Sequence, residues 1–194
     1  MLFRSETAKP GTTTKRGAKT MGPSGAGVWT SPTIDPDHNT LYVTTGDNYS
    51  EPATKTSDAV LAIAMDSGKL LWSKQITEGD AYNSSCPIAG KANCPDADGP
   101  DFDFGSSAML MNLGGGKRVL ALPQKSGILY GVDPDDQGKI LWQARAGQGG
   151  TLGGIQWGPA TDGSKIYVAL SDIGFTARTA TGDRKSTRLN SSHT

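Results

Sequence analysis

The chain has 194 residues, among them 26 glycines and 11 prolines, and only 7% of its residues are aromatic. So many turn-forming residues favour numerous short strands over long helices. Basic and acidic residues balance to a formal net charge of zero, so the charge gives no indication of nucleic acid or an anionic membrane as a partner. Runs of about 18 apolar residues, the length that predicts a membrane-spanning helix, do not occur.

Three similar segments recur along the chain, each a short β-rich run that ends in a charged residue. They are residues 41–47 (LYVTTGD), 119–125 (VLALPQK) and 166–172 (IYVALSD). The second and third lie about 47 residues apart, a spacing typical of a four-stranded propeller blade. The first interval is about 31 residues longer than this spacing, and the extra residues fall in the cysteine-bearing segment 77–104.

A second repeat has the form of a hairpin. An apolar run that ends in Asp66 precedes the sequence GKLLW at 68–72, and a run that ends in Asp133 precedes GKILW at 138–142. Turn residues between two apolar runs of strand length predict a β-hairpin. A β-sandwich with the same number of strands would have no reason to repeat a Gly-Lys-x-(Leu/Ile)-Trp sequence.

Together the repeats predict an all-β fold, a partial β-propeller of about two and a half blades with four antiparallel strands in each complete blade. The third blade is expected to begin near residue 154 and to stop after its second strand. The predicted strands are 28–35, 40–45, 59–65 and 69–75 in the first blade, and 104–111, 117–123, 127–133 and 139–144 in the second.

Cys86 and Cys94 are the two cysteines of the chain and lie in a stretch rich in proline, glycine and aspartate. They cannot form a zinc site alone, because tetrahedral zinc needs more ligands and no histidine lies nearby. Two unrelated thiols and a disulfide that closes the loop remain the alternatives. The disulfide is the preferred prediction, and it would imply an oxidising compartment such as the periplasm.

The C-terminal residues 183–194 are expected to be an artefact. Residues 183–193 read DRKSTRLNSSH, which matches the in-frame translation of a widely used sequencing adapter. We therefore predict that 1–182 is a partial propeller domain and that 183–194 is a disordered tail. The natural protein is expected to continue beyond about residue 182, and the chain is expected to be truncated at both ends.

Several segments resemble the quinoprotein alcohol dehydrogenases. The sequence AMDSGKLLW at 64–72 resembles the tryptophan-docking motif of their eight-bladed propellers, which implies that Trp72 and Trp142 pack between blades rather than act in catalysis. Within this group, the polyvinyl-alcohol dehydrogenases are the most similar. The segments that carry this likeness are GPSGAGVWTSPT at 22–33, GPDFDFG at 99–105, QKSG at 124–127 and the long cysteine loop before residue 99.

The resemblance implies an enzyme that oxidises secondary alcohols with pyrroloquinoline quinone (PQQ) and calcium. It also implies that electrons pass to a c-type cytochrome or a quinone, and that the protein is periplasmic or secreted. No nucleic acid or membrane span is expected. The alternative is a non-catalytic propeller of the same repeat family that serves as a binding or assembly scaffold. On its own, the 194-residue chain is predicted to be inactive and prone to aggregation, because an open propeller leaves strand edges unpaired.

The family resemblance assigns roles to one aromatic and one acidic residue of this chain. Trp29 matches the family tryptophan whose ring forms the floor under PQQ, although a core tryptophan such as Trp157 is the simpler alternative. Asp103, in Phe-Asp-Phe, matches the catalytic aspartate that takes the alcohol proton, and it is also expected to bind the metal. The alternative is an ordinary loop aspartate, like Asp96, Asp98 and Asp101 before it.

Two further residues are expected at the ends of repeated strands. Asp47 stands where the family usually has an asparagine bound to calcium, and a carboxylate is an equally suitable oxygen ligand. Asn48 is the alternative ligand, by a slip of one residue. Lys125 matches a basic residue that contacts the quinone oxygens and the catalytic carboxylate, although a surface lysine at a strand end is the alternative. Since equivalent repeat positions converge on the axis of a propeller, Asp47 and Lys125 are predicted to face one site.

Overall fold

The computed structural model describes residues 2–3, 7–172 and 186–190. Within these residues the fold is all-β, and the one helical element is a short 3₁₀ turn, Pro36–His38. None of the helical residues described could form a span long and apolar enough to cross a membrane. The strands before the repeats are β1 (Leu2–Phe3), β2 (Lys9–Thr13), β3 (Lys19–Gly22) and β4 (Ala26–Gly27).

Two four-stranded antiparallel sheets form the predicted blades, and in each sheet the strands are neighbours in chain order. A short third sheet follows. The first blade contains β5 (Thr33–Asp35), β6 (Thr40–Thr44), β7 (Ala59–Ala64) and β8 (Leu70–Gln75). The second contains β9 (Met109–Gly114), β10 (Lys117–Pro123), β11 (Ile128–Asp133) and β12 (Lys139–Arg145), and the third sheet contains β13 (Ala160–Thr161), β14 (Lys165–Ala169) and β15 (Ser186–Asn190).

The predicted strands agree with the structure except at the first strand of each blade. Strand β5 begins only at Thr33 rather than at residue 28, because Pro32 has no N–H to donate to a strand ladder. Strand β9 begins at Met109 rather than at residue 104. The segment before it bonds to the first blade, since the Phe104 N–H donates to the Thr45 carbonyl at 3.3 Å and not to β10.

Strand β15 lies in the segment that was predicted to be a disordered tail. It pairs antiparallel with β14 along five residues, from Lys165 opposite Asn190 to Ala169 opposite Ser186. Ser186–Asn190 thus form a strand, because the edge of β14 offers N–H and C=O groups with which an extended segment can pair. The division of the chain at residue 182 stays a prediction. The other residues of the predicted tail lie outside the described residues.

A hairpin of β2 and β3, which was not predicted, precedes the first blade. Its turn contacts the cysteine loop: the Arg16 guanidinium donates to the Cys94 carbonyl at 3.3 Å, and the Lys15 N–H donates to the Asp96 carboxylate at 3.0 Å. Every residue of β2 is exposed, so this hairpin shows no alternation of apolar and polar residues that could have revealed it.

The core lies between the sheets, because the two faces of β10 pack against different neighbours. Leu120 and Leu122 pack with side chains of the first blade, whereas Val119 and Ala121 pack with those of the third sheet. Alternate residues of a strand point to opposite faces, so a strand that is buried on both faces must be apolar throughout. The first cluster also contains Tyr42, Val60, Ala62, Phe104, Ala108, Tyr130 and Val132, and the second contains Met111, Leu129, Ile155, Ile166, Val168 and Leu170.

Trp72 connects the two blades, as the docking-motif resemblance implies. Its ring lies 5.9 Å from that of Tyr42 in the same sheet and packs against the cluster between the blades. Its far edge meets the turn of the next blade, where a Cβ added to Gly138 would stand 2.9 Å from Trp72 Cζ3. The glycine of the repeated Gly-Lys turn therefore leaves space for the tryptophan of the preceding blade.

Arg118 forms a second, polar connection between the blades. Its guanidinium pairs with Asp35 of the first blade and with Asp135 in its own blade, and it also contacts the ring nitrogen Nδ1 of His38. Although burial acts to raise the pKa of Asp35, its bonds to His38 and Arg118 outweigh that effect and lower the pKa. A largely buried arginine with two carboxylate partners fixes the relative position of the two sheets.

Replacing Gly138 with alanine tests the docking contact. We expect Gly138→Ala to lower the melting temperature more than Gly115→Ala does, because both glycines have positive φ (72° and 58°) but only the Cβ at residue 138 meets neighbouring atoms. The left-handed conformation costs either variant about 1–2 kcal/mol, and the displacement of Trp72 and Lys74, both of β8, adds to that cost. The measurement is thermal unfolding followed by circular dichroism; equal losses in the two variants would contradict the contact.

Candidate cation and cofactor site

The site lies where the loop at residues 101–104 passes between the ends of β6 and β10. The Phe104 N–H donates to the Thr45 carbonyl just beyond β6, at 3.3 Å. The Lys125 N–H, just beyond β10, donates to the Asp103 carbonyl at 3.0 Å. The backbone thus fixes the loop to one strand end of each blade, and the three side chains predicted from the sequence, Asp47, Asp103 and Lys125, come together.

The Asp103 carboxylate lies at the centre of this group. Its Oδ1 accepts the Asp47 backbone N–H at 2.7 Å, and its Oδ2 accepts the Lys125 ammonium at 3.0 Å. The same ammonium lies 2.6 Å from Oδ1 of Asp101. Lys125 is only 4% exposed. It is therefore a buried cation held by two carboxylates, which excludes the alternative of a surface lysine at a strand end.

The end of β6 passes close to the aspartate. A Cβ on Gly46 would overlap the Asp103 carboxylate and would stand 3.2 Å from Nε1 of Trp29. Glycine therefore allows the backbone to lie between the carboxylate and the indole. This close approach also places the pyrrole edge of Trp29 beside the acidic group.

Negative charge exceeds positive charge in this part of the chain. One carboxylate oxygen from each of Asp47, Asp101 and Asp103 lies within 4.8 Å of the others. Burial, with the charges of Asp103 and Asp101, raises the pKa of Asp47 to about 9. Burial and the charge of Asp103 raise the pKa of Asp101 to about 7, although Lys125 opposes the shift. Asp47 and Asp101 thus lack enough neighbouring positive charge to be ionised together near neutral pH.

Lys125 is held in its charged form by its neighbours. Burial alone would lower the pKa of its ammonium, but the charges of Asp103 and Asp101 outweigh that effect and raise it. The ammonium therefore remains a hydrogen-bond donor to both carboxylates throughout the neutral range.

Two buried aspartates near the site were missed by the sequence analysis. Asp80 is fully buried and accepts the backbone N–H groups of Asp101 and Phe102 at 3.1 and 2.9 Å. Asp58 is also fully buried, and its carboxylate oxygens have no hydrogen-bond partner among the described residues. Burial, followed by the charge of Asp80, raises the pKa of Asp58 well above its ordinary value. Neither residue lies in a repeated motif, although Asp58 directly precedes β7 at the edge where Asp47 follows β6.

Asn48, the alternative cation ligand, has its side-chain oxygen engaged elsewhere. That oxygen accepts the Thr54 N–H at 2.7 Å and the Thr54 hydroxyl at 3.1 Å. The Asn48 side chain is fully buried and holds the following loop in place. In this arrangement the Asp47 carboxylate lies with the other acidic groups of the site, whereas the Asn48 oxygen is bonded to Thr54.

Trp29 lies in a cleft of about 310 Å³ that also contains Gly105, Gln156 and Trp157. Its side chain is 44% exposed, so it is not the fully enclosed core tryptophan of the alternative interpretation. Trp157, one of the equivalent residues in the repeats, is 78% exposed in the same cleft. An indole that is open to a cleft and borders buried carboxylates offers a flat apolar surface beside a charged one.

Cys86 and Cys94 are joined by a disulfide, with their sulfur atoms 2.04 Å apart. Cys86 is 3% exposed and Cys94 is fully buried, so the bridge is the small core of the loop. An ion pair between Lys91 and Asp98, at 3.1 Å, lies on the surface of the same loop. The loop leads directly into Asp101, so the disulfide shortens the free path of the chain before the site.

The residues present fit a hard divalent cation and a planar aromatic group. Carboxylate oxygens are the ligands that calcium prefers, and a cation beside Asp47, Asp101 and Asp103 would balance the excess negative charge. Trp29 provides a surface for stacking, and the Lys125 ammonium is a hydrogen-bond donor beside Asp101 and Asp103. Asp172, the third equivalent of Asp47 and Lys125, accepts the Gly149 N–H at 3.0 Å instead.

No protein-family model matches the chain. Two curated proteins are similar to most of it. The polyvinylalcohol dehydrogenase of a Pseudomonas species is 42% identical over 159 residues, which are 82% of this chain and 25% of that protein. The polyvinylalcohol dehydrogenase of Sphingopyxis sp. (strain 113P3) is 38% identical over 166 residues, which are 84% of this chain and 25% of that protein.

Among solved structures, the quinohemoprotein alcohol dehydrogenase from Comamonas testosteroni matches with a TM-score of 0.52 at 20% identity, over 77% of this chain and 26% of that one. This likeness concerns the fold, and it supports the partial propeller. The chain spans 25% of the length of the curated relatives that it matches. The resemblance inferred from the motifs is thus confirmed: over most of its length the chain is related to a segment of the polyvinylalcohol dehydrogenases and shares the propeller fold of a quinoprotein alcohol dehydrogenase.

Proposed function

We propose that this chain forms part of the active site of a dehydrogenase that oxidises secondary alcohols of the polyvinyl-alcohol type with PQQ and calcium. Electrons would pass to a c-type cytochrome or a quinone, and the protein would work in the periplasm or outside the cell, where its disulfide is stable. One observation carries the proposal: Asp103 is held between the Asp47 backbone and the Lys125 ammonium, beside the open indole of Trp29.

Asp103 is the proposed base for the alcohol proton. Its two oxygens are oriented by N–H donors from different blades, so the carboxylate cannot rotate without losing both bonds. A carboxylate held in this way can accept the proton of an alcohol that lies within hydrogen-bond reach. When bound, PQQ would supply the redox chemistry as the acceptor of the hydride.

Lys125 has two proposed tasks. It orients Asp103 and Asp101 through its present bonds, and its ammonium would donate to the oxygens of the quinone, whose negative charge increases as it is reduced. Trp29 would form the floor against which the planar cofactor stacks. Asp47 and Asp103 would hold the calcium ion, and Asp101 adds a third carboxylate that the motif comparison did not identify.

A scaffold without catalysis is the alternative function, and the buried charges argue against it. Burying a lysine together with several carboxylates is expensive, and packed apolar side chains of similar volume would often stabilise a propeller at least as well. A scaffold would have no use for Asp103, Lys125 and an open Trp29 in one place. A catalytic role therefore accounts for the burial of these charged side chains together, whereas a scaffold role does not.

Replacing Asp103 with asparagine tests the proposed base. In the full-length protein loaded with PQQ and calcium, we expect Asp103→Asn to lower kcat by about 10²–10⁴-fold, the usual contribution of a general base. The measurement is dye reduction with polyvinyl alcohol and with short secondary alcohols. Asp98→Asn is the matched control, because Asp98 is an exposed aspartate of the same loop.

The cofactor absorbance of each variant shows whether PQQ is still bound. Undiminished turnover by PQQ-loaded Asp103→Asn would exclude this residue as the base. An intact wild-type protein that neither binds PQQ nor oxidises alcohols would leave the scaffold function in its place. The full-length protein is required, because the 194-residue chain spans 25% of the length of its curated relatives and is expected to be inactive on its own.

Calcium binding separates Asp47 from Asn48 as the cation ligand. We expect Asp47→Ala to weaken calcium binding by the full-length apoprotein at least about tenfold, because a hard cation loses a carboxylate oxygen. Asn48→Ala should weaken it much less, since that side-chain oxygen is engaged by Thr54. Isothermal titration calorimetry gives both affinities, and circular dichroism verifies folding. A larger loss in Asn48→Ala would reverse the assignment.

A further inference from the structure

The segment 80–82 lies beside the strand end that carries Asp47. The Asn48 N–H donates to the Asp80 carbonyl at 3.3 Å, and the Tyr82 N–H donates to the Asn48 carbonyl at 2.8 Å. The two stretches pair in parallel at a bridge between Asn48 and Ala81. The Tyr82 N–H also lies 2.8 Å from Oδ2 of Asp47. One side of this segment is therefore attached to the first blade and to the Asp47 carboxylate itself.

The other attachment of the segment is the Asp80 side chain. One oxygen accepts the Asp101 N–H at 3.1 Å, and the other accepts the Phe102 N–H at 2.9 Å. Asp101 has a φ of 58°, a left-handed conformation that a residue with a side chain rarely adopts. Successive N–H groups around such a residue point in similar directions and form a small anion-binding concavity. The Asp80 carboxylate occupies this concavity and is fully buried.

We infer that Asp80 is a positioning residue that sets the distance between the Asp47 carboxylate and the carboxylates of Asp101 and Asp103. This inference rests on the proposed function. The segment 80–82 connects two parts of the acidic group. At one end the Tyr82 N–H donates to the Asp47 carboxylate, and at the other the Asp80 carboxylate holds the turn that carries Asp101 and Asp103. The Asp80 side chain accepts two successive backbone N–H groups, so it holds the left-handed turn at two points.

The contacts of Asp80 favour this role over a general contribution to stability. Its carboxylate makes no ion pair with a basic residue among the described residues, and both oxygens are directed to the backbone of the site loop. The loop reaches Lys125 and Asp47 through side chains two residues apart, Asp101 and Asp103. A rotation of the backbone at Asp101 would therefore separate the two carboxylates from one another and from the cation position.

The test replaces Asp80 in the full-length protein. Asp80→Asn keeps one acceptor oxygen, but its amide group cannot accept the second N–H. We expect a loss of about 10–100-fold in calcium affinity of the apoprotein and in kcat of the loaded protein, the usual effect of removing a partner that orients a metal ligand. Asp98→Asn, in the same loop, should change neither quantity. Calorimetry, dye reduction and thermal unfolding are measured for both variants.

Each outcome decides between specific alternatives. A wild-type protein that binds no calcium and oxidises no alcohol overturns the proposed function, and the inference with it. An active wild type with Asp80→Asn equal to Asp98→Asn in both quantities overturns the inference alone. A lower melting temperature with unchanged calcium affinity and kcat makes Asp80 merely structural and also overturns it. If Asp80→Asn does not fold, Asp80→Glu is measured instead, and calcium affinity equal to wild type in that variant contradicts the inference.

Discussion

The hydrogen bonds of the Asp103 carboxylate are the constraint on which the rest of the site depends. This group bonds to the Asp47 backbone at the end of one blade and to the Lys125 ammonium at the end of the next. Both bonds form only if the two blades hold a fixed distance and angle. The buried apolar cluster between the sheets, the docking of Trp72 and the ion pairs of Arg118 supply that fixed geometry. A stable interface between the blades therefore also keeps the residues of the site at fixed distances from one another.

The site concentrates negative charge at a place that water does not reach easily. Among the described residues, the Lys125 ammonium is the one close cationic partner of this acidic group. The group contains Asp47, Asp80, Asp101 and Asp103. Burial and mutual repulsion raise the pKa of Asp47, Asp80 and Asp101. Such a group costs stability unless it binds a cation or protons. Its persistence in a fold that apolar packing could hold together is a physical reason to assign it to function.

Much of the fold could be predicted because its elements repeat. Strands β6, β7 and β10 to β12 are bounded by turns, and the repeated Gly-Lys turns placed the hairpins within a residue or two. The same regularity predicted that Asp47 and Lys125 face one site, since equivalent positions of successive blades approach one another, although their roles came from the family resemblance. Asp103 required a family motif, because nothing in an acidic loop distinguishes one aspartate from the next.

The residues that could not be predicted lie in segments of the chain that do not belong to a sequence repeat. Asp80 acts through backbone N–H groups of a loop about 20 residues away, and only the folded path of the cysteine-bearing segment brings them together. The first strand of the second blade was misplaced for a related reason. There the backbone leaves its own ladder to bond across blades, as Phe104 does with Thr45, so local propensity is overridden by tertiary contacts.

Asp58 shows what the site demands of its surroundings. Its oxygens are buried without a hydrogen-bond partner among the described residues, and burial together with the charge of Asp80 favours its neutral form. An ionised carboxylate at this position would add a further negative charge beside Asp80, which in turn holds the turn of Asp101. A neutral Asp58 adds no such charge, so Asp58 does not increase the repulsion among the buried aspartates of the site.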